Sequence, residues 1–198
     1  ALYRNTSIQG LHVSANDLDG LASAHTLREL LRRNKTIARL FMDNNNFGNN
    51  VAAVRCIADG FRANTTLQEI GLSSCELDDE SLTTLAVGLG QQKRSLVNLN
   101  LSANEITCSG IRALVNNATA ALSAVTHLNL SRNPLFGEGA AFLADMLRRQ
   151  TLPGLKSLHL IDCRFPDDGL GGRLSGWEEN ENVVLLELTY KGFSGLGD

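Results

Sequence analysis

The chain is short of aromatic residues, of basic charge and of long apolar runs, and each shortage narrows what it can be. Aromatics make up 5% of 198 residues while hydrophobic residues reach 43%, so the core must be aliphatic. The formal charge is −3 and the pI 5.8. Non-specific binding to nucleic acid or to an anionic membrane needs a basic footprint, and none is present. No apolar stretch approaches the roughly 18 residues of a membrane span. The four cysteines, Cys56, Cys75, Cys108 and Cys163, stand far apart without a CxxC pair. Free thiols in a reducing, cytoplasmic setting are therefore expected rather than a disulfide framework. There is no initiator Met, and the chain opens on the end of one repeating unit and stops inside another, so it is expected to be a piece of a longer protein.

Catalytic motifs are missing as well. GxxxxGK[ST], HExxH, GxSxG and metal-spaced Cys/His clusters do not occur. The turn containing Gly169, Gly171 and Gly172 fails the GxGxxG pattern because Leu174 stands at its last position, and it reads as a helix-start loop. His127 and His159, with Asp162 nearby, fall in different columns without partners at ligand spacing. No metal, no cofactor and no enzymatic activity are expected.

What is abundant is repetition. Leu96–Ile106 carries apolar residues at Leu96, Leu99 and Leu101, then Asn104, then Ile106. This spacing is similar to the leucine-rich-repeat signature, in which a short strand bends into a turn at the Asn. Seven copies begin near Ile8, Ile37, Leu67, Leu96, Val125, Leu155 and Val183, at intervals of 29, 30, 29, 29, 30 and 28 residues. Between them the period changes: Val54, Ile57, Ala58 and Phe61 follow helical spacing, as do Leu82, Leu85, Ala86 and Leu89, with the same pattern after Ile111 and Ala140. Each unit is thus strand, turn, helix and return loop, with Gly110, Gly139 and Gly169 expected in tight turns at the helix starts. Helices pack about 10 Å apart and strands about 4.8 Å, so the stack must curve with its strands inside. The expected fold is an α/β solenoid, a single leucine-rich-repeat domain over residues 1–198, with a parallel sheet on the concave face and helices on the convex face.

The turn position reads Asn16, Asn45, Cys75, Asn104, Asn133 and Cys163 in the first six copies. An amide there can satisfy backbone groups of the turn and of the neighbouring repeat, and Cys is small enough to replace it. Cys75 and Cys163 could act as redox sensors if acidified, but their place in this ladder favours a structural role. Asn-x-Ser/Thr sequons at Asn5, Asn34, Asn64, Asn100, Asn117 and Asn129 are expected to be by-products of the repeat and unused.

The Asn/Asn/Cys pattern with 28–30-residue repeats and helical convex sides resembles the ribonuclease-inhibitor-like subfamily of leucine-rich-repeat proteins. That subfamily includes ribonuclease inhibitor, the sensor regions of NOD-like receptors, Ran GTPase-activating proteins and tropomodulin- or CARMIL-type actin regulators. The chain lacks ribonuclease inhibitor's strict Asn/Cys alternation, and Lys191 stands where the last Asn would be. The resemblance implies a protein-protein interaction scaffold, with a Ran-type GTPase-activating protein or an actin-regulatory scaffold as alternatives.

Side chains between the core positions point into the hollow. The middle column is His12, Phe41, Gly71, Asn100, Asn129, His159 and Glu187. Large and charged groups gather toward either end, and Arg39, Phe41, Asp43, Glu69, His127, Arg132, His159, Ile161 and Asp162 are the expected partner-binding residues. Their mixed charge suits another protein better than a polyanion. Phe41 reads equally as an exposed anchor or as a ring lying flat over its neighbours. The final strand, Val183–Leu188, presents an apolar edge expected to promote self-association.

Overall fold

A computed structural model describes residues 2–90, 96–166 and 182–188. Seven parallel strands form one open sheet in chain order: β1 (Gly10–His12), β2 (Arg39–Phe41), β3 (Glu69–Gly71), β4 (Asn98–Asn100), β5 (His127–Asn129), β6 (Ser157–Leu160) and β7 (Leu185–Leu188). Among the described residues five α-helices alternate with them: α1 (Leu21–Arg33), α2 (Val51–Ala63), α3 (Asp79–Gly90), α4 (Cys108–Leu122) and α5 (Phe136–Arg148). Strands one residue-row deep and helices packed on their backs give the α/β horseshoe that the repeat length requires. The turn containing Gly169 and Lys191 at the last ladder position fall outside the described residues.

The register aligns the expected middle column. Leu40 pairs with Ile70 while Phe41 pairs with Gly71, and His12, Asn100, Asn129, His159 and Glu187 follow in the same row. Beneath that row lies the core. Leu40 and Met42, Ile70 and Leu72, Leu99 and Leu101, Leu128 and Leu130, and Leu158 and Leu160 are all buried, as is the helical stripe of α2 through α5. Burying each such aliphatic side chain contributes about 1.5–3 kcal/mol. Leu11, Val13 and Leu186, in the outermost repeats, are only partly covered. That follows from a solenoid in which each unit is buried by its neighbours.

Two polar ladders hold the repeats in register. The first is the expected one. The Asn104 Oδ1 accepts from the N–H of Cys75 (2.9 Å) and Leu77 (3.1 Å) in the preceding repeat. Its Nδ2 donates back to Leu72 O (2.8 Å) and to Leu101 O (2.9 Å). Asn45 makes the equivalent bonds to Asn16 N and Leu18 N, and to Val13 O and Met42 O. Asn133 does so to Ile106 N, Leu101 O and Leu130 O. Cys75 and Cys163 reproduce the donor half: their thiols point at Met42 O (3.3 Å) and Leu130 O (3.4 Å). Asn16, in the first repeat, is exposed, and its side chain bonds Ser14 O within its own turn.

The second ladder comes from the sequons. Asn34 and Asn64 are each 1% exposed. Asn64 Oδ1 accepts from Thr66 N and Leu67 N, while its Nδ2 donates to Leu31 O across the repeat boundary. Asn34 does the same for Thr36 N and Ile37 N, donating to Leu2 O and Asn5 O. The threonine hydroxyls then reach the preceding strand, Thr36 to Ile8 O and Thr66 to Ile37 O.

The corner after each strand is left-handed in six successive repeats: Ala15, Asn44, Ser74, Ala103, Arg132 and Asp162, all with φ between 52° and 56°. No described glycine takes a positive φ. Non-glycine residues normally resist this region by about 1–2 kcal/mol each. Here the first five are over-determined, because the corner N–H donates to the next repeat: Ala15 to Asp43 O, Asn44 to Ser73 O, Ser74 to Ser102 O, Ala103 to Ser131 O and Arg132 to Ile161 O. The expected role of Gly110 and Gly139 as tight-turn glycines is corrected accordingly. Both lie inside helices, and they are small because of close approach. A Cβ on Gly110 would sit 2.4 Å from Asp79 Oδ1, and one on Gly139 would sit 2.7 Å from Leu135 Cβ.

Candidate protein-binding surface

Short strands project only a few side chains each into the hollow, so the concave surface is assembled from many repeats. At its N-terminal end the Phe41 ring stacks on His12 with centroids 4.5 Å apart and planes inclined by 25°. It also covers Gly71, where an added Cβ would come within 2.8 Å of the ring. Phe41 therefore lies flat and half-buried, a packing ring that still offers one face. Asp43 is tied down as well, its Oδ1 accepting from Ser73 N at 2.7 Å and its Oδ2 from Ser14 Oγ at 3.3 Å. Arg39 stays exposed above Gly10, and Glu69 beside it is half-buried.

At the other end, His159 bridges two repeats. Its Nε2 lies 2.8 Å from Ser157 Oγ and its Nδ1 2.7 Å from Glu187 Oε2. Ser157 is 3% exposed, so this chain of hydrogen bonds locks β6 to β7. His127 is exposed and rests its Nδ1 against Thr126 Oγ1 at 2.7 Å. Ile161 is half-buried with its N–H on Ser131 Oγ. Between the two ends the surface is a run of hydroxyls and amides, with Ser102 Oγ donating to Ser73 Oγ at 2.9 Å.

Arg132 and Asp162 are set apart from the others. They occupy the left-handed corners, on the rim where the strands give way to the loops. There they join groups that the spacing argument passed over. A continuous groove runs along the rim past Glu76, Glu105 and Arg132 to Pro134 and Arg164. Its signal in the sequence was the residue after each ladder position, Asp17, Asn46, Glu76, Glu105, Pro134 and Arg164, which is charged or polar in five of the six repeats.

The thiols offer no chemistry to a partner. All four are free and buried. Burial pushes the Cys75 and Cys163 thiols up to about 12, and desolvation raises Cys56 too. A thiol held protonated is a poor nucleophile, which removes the redox-sensor reading. The described residues hold no group of three or more His, Cys, Asp or Glu that could bind a metal ion. No described helix is long and apolar enough to cross a membrane.

A family model described as "Leucine Rich repeat" matches residues 63–86 and 123–144. The human "NACHT, LRR and PYD domains-containing protein 13" is 28% identical over 188 residues, covering 95% of this chain and 18% of that protein. The mouse "Tonsoku-like protein" is 34% identical over 139 residues, covering 65% of this chain and 10% of that protein. The chain thus spans less than a fifth of these relatives. Among solved structures, an internalin from Listeria monocytogenes superposes with a TM-score of 0.50 at 16% identity, over 99% of this chain and 61% of that one. That likeness concerns the fold alone.

Proposed function

Because this chain is a leucine-rich-repeat protein of the ribonuclease-inhibitor-like kind, we propose that it is a non-enzymatic module that binds a protein partner through its concave strands and adjoining loops. The observation that carries this is the single mixed surface formed by the register. Arg39, Glu69 and His127 share one row, Phe41 and His159 the next, and all open into the same hollow. Asp43 and Ile161 follow one position beyond the strands, and Arg132 and Asp162 close the rim. Exposed charges of both signs around a half-buried aromatic match the composition of a protein interface. On the convex helices some charges pair with one another, such as Arg33–Glu29 at 2.9 Å and Arg148–Asp145 at 2.5 Å.

The test is photo-crosslinking in the full-length protein in cells. A photoreactive amino acid is placed singly at Arg39 or His127 on the concave face, and at Arg55 or Arg148 on the convex helices. Crosslinks to one shared protein from Arg39 and His127 alone support the reading. Crosslinks confined to Arg55 and Arg148 move the interface to the helices and end it. A GTPase activator or an actin scaffold would use the same surfaces, and stimulated GTP turnover or actin co-sedimentation tells these apart from a plain binding module.

A further inference from the structure

The rim groove carries charges that nothing in the described structure neutralises. Glu105, Arg132 and Arg164 line it, and none of the three side chains makes a hydrogen bond or an ion pair among the described residues. Glu76, further along, meets only the Asn49 amide. The charges are also sorted. Glu76 and Glu105 stand in the third and fourth repeats, and Arg132 and Arg164 in the fifth and sixth. Asp162 also lies at the basic end, where the two arginines outnumber it. The groove is therefore acidic at one end and basic at the other.

Its walls are rigid. The corner residues Asn44, Ser74, Ala103 and Arg132 that form one wall are held left-handed by hydrogen bonds to the next repeat. The floor is the buried amide ladder of Asn104 and Asn133. Neighbouring repeats are about 4.8 Å apart at the sheet, so the four charges span roughly 14 Å. An extended polypeptide rises about 3.3 Å per residue, and four to six residues cover that distance. The two outermost charges lie farther apart than the Debye length of about 8 Å at physiological salt, so each end of a bound segment senses chiefly the charges beside it.

We propose that this rim is a second, directional docking surface that takes an extended segment of a partner protein with basic residues at one end and acidic residues at the other. The basic end lies over Glu76 and Glu105 and the acidic end over Arg132 and Arg164. This rests on the protein-binding reading above and assigns to its rim a partner class and a polarity.

The probes are capped six-residue peptides measured by fluorescence anisotropy against the full chain at physiological salt. One set carries two Lys at the start and two Glu at the end. Others reverse that order, or carry four Lys, four Glu or no charge. One of the two bipolar orders is expected to bind at least tenfold more tightly than every other peptide. The double variant Arg132→Glu, Arg164→Glu should shift the preference to the four-Lys peptide, and Glu76→Lys, Glu105→Lys should shift it to the four-Glu peptide. All four positions are on the surface loops, and circular dichroism checks that each variant is folded. Failure of any peptide to bind, or an unchanged ranking in the folded charge-reversal variants, overturns the proposal. Arg55→Ala, on the convex side of α2, should leave peptide binding unchanged. If the concave crosslinks are found and the peptides do not bind, only the rim docking fails. If the peptides bind and Arg39 and His127 give no crosslinks, only the concave reading fails.

Discussion

Asn104 Oδ1 accepts the backbone N–H of Cys75 at 2.9 Å, whereas the Cys75 sulfur is only a weak acceptor for the turn of Asn45. The turn before each Cys adapts. Phe47 N turns back to Asn45 O, and Gly48 N reaches Cys75 O instead. The turn before Cys163 repeats this, with Leu135 N on Asn133 O and Phe136 N on Cys163 O. Asn and Cys are thus matched to the shape of the preceding turn and are not interchangeable.

The first expectation follows from that match. Asn104→Cys should destabilise by about 1–3 kcal/mol, because the buried N–H groups of Cys75 and Leu77 lose their acceptor. Cys75→Asn should also destabilise, since Phe47 N, one of the two donors that its oxygen would need, is already bonded to Asn45 O. Urea denaturation of the two single variants checks this. Stabilisation by Cys75→Asn would show that the turns are not specialised.

A second expectation concerns the sequon ladder. Asn64→Ala should cost about 2 kcal/mol, by leaving Leu67 N and Leu31 O buried without partners. Asn117→Ala, on an exposed stretch of α4, should cost less than about 0.5 kcal/mol. When the folded chain is offered to an oligosaccharyltransferase, Asn34 and Asn64 should stay unmodified. Mass analysis showing a glycan on either one in a natively folded sample would contradict the buried ladder.

Acid sensitivity is expected at the start of α3. The Asp78 carboxylate accepts from Ser81 N at 2.8 Å, and this cap holds its acidity below the ordinary carboxylate range. A folded pKa below the unfolded one means that the contribution is present at neutral pH and is lost as pH falls through the folded value. Asp78→Ala should cost about 1 kcal/mol at neutral pH. Asp78→Asn keeps the capping oxygen and should flatten this part of the acid limb. An unchanged acid limb in Asp78→Asn would remove Asp78 from the pH response.

The thiols give a fourth expectation. With Cys75 and Cys163 pushed up to about 12 and all four cysteines buried, the native chain should resist alkylation at pH 8, and unfolding should expose every site. Peptide mapping that finds Cys75 alkylated at the rate of a free thiol while the fold is intact would place it outside the core.

The periodic features were open to reading from the sequence because they arise from local geometry. The three-and-five spacing of Leu96, Leu99 and Leu101 fixes which strand residues face the core, and the helical spacing of Val54, Ile57, Ala58 and Phe61 fixes the buried stripe. Both periods follow from the backbone of one unit, and stacking identical units repeats them. Which polar groups are consumed and which remain free depends on neighbours about 30 residues away, and only the tertiary structure decides that. Asp43 looked like a free contact residue because its strand phase is outward, and Phe41 read equally as an exposed anchor or as a ring lying flat. Once β1 and β3 are in place, His12 stacks on the ring and Ser73 N takes the carboxylate. Asn34 and Asn64 looked like incidental sequons, and stacking turned them into a buried ladder. Glu105, Arg132 and Arg164 carry no motif of their own. They form one groove because the corners before and after each ladder position line up across repeats, which no single repeat encodes.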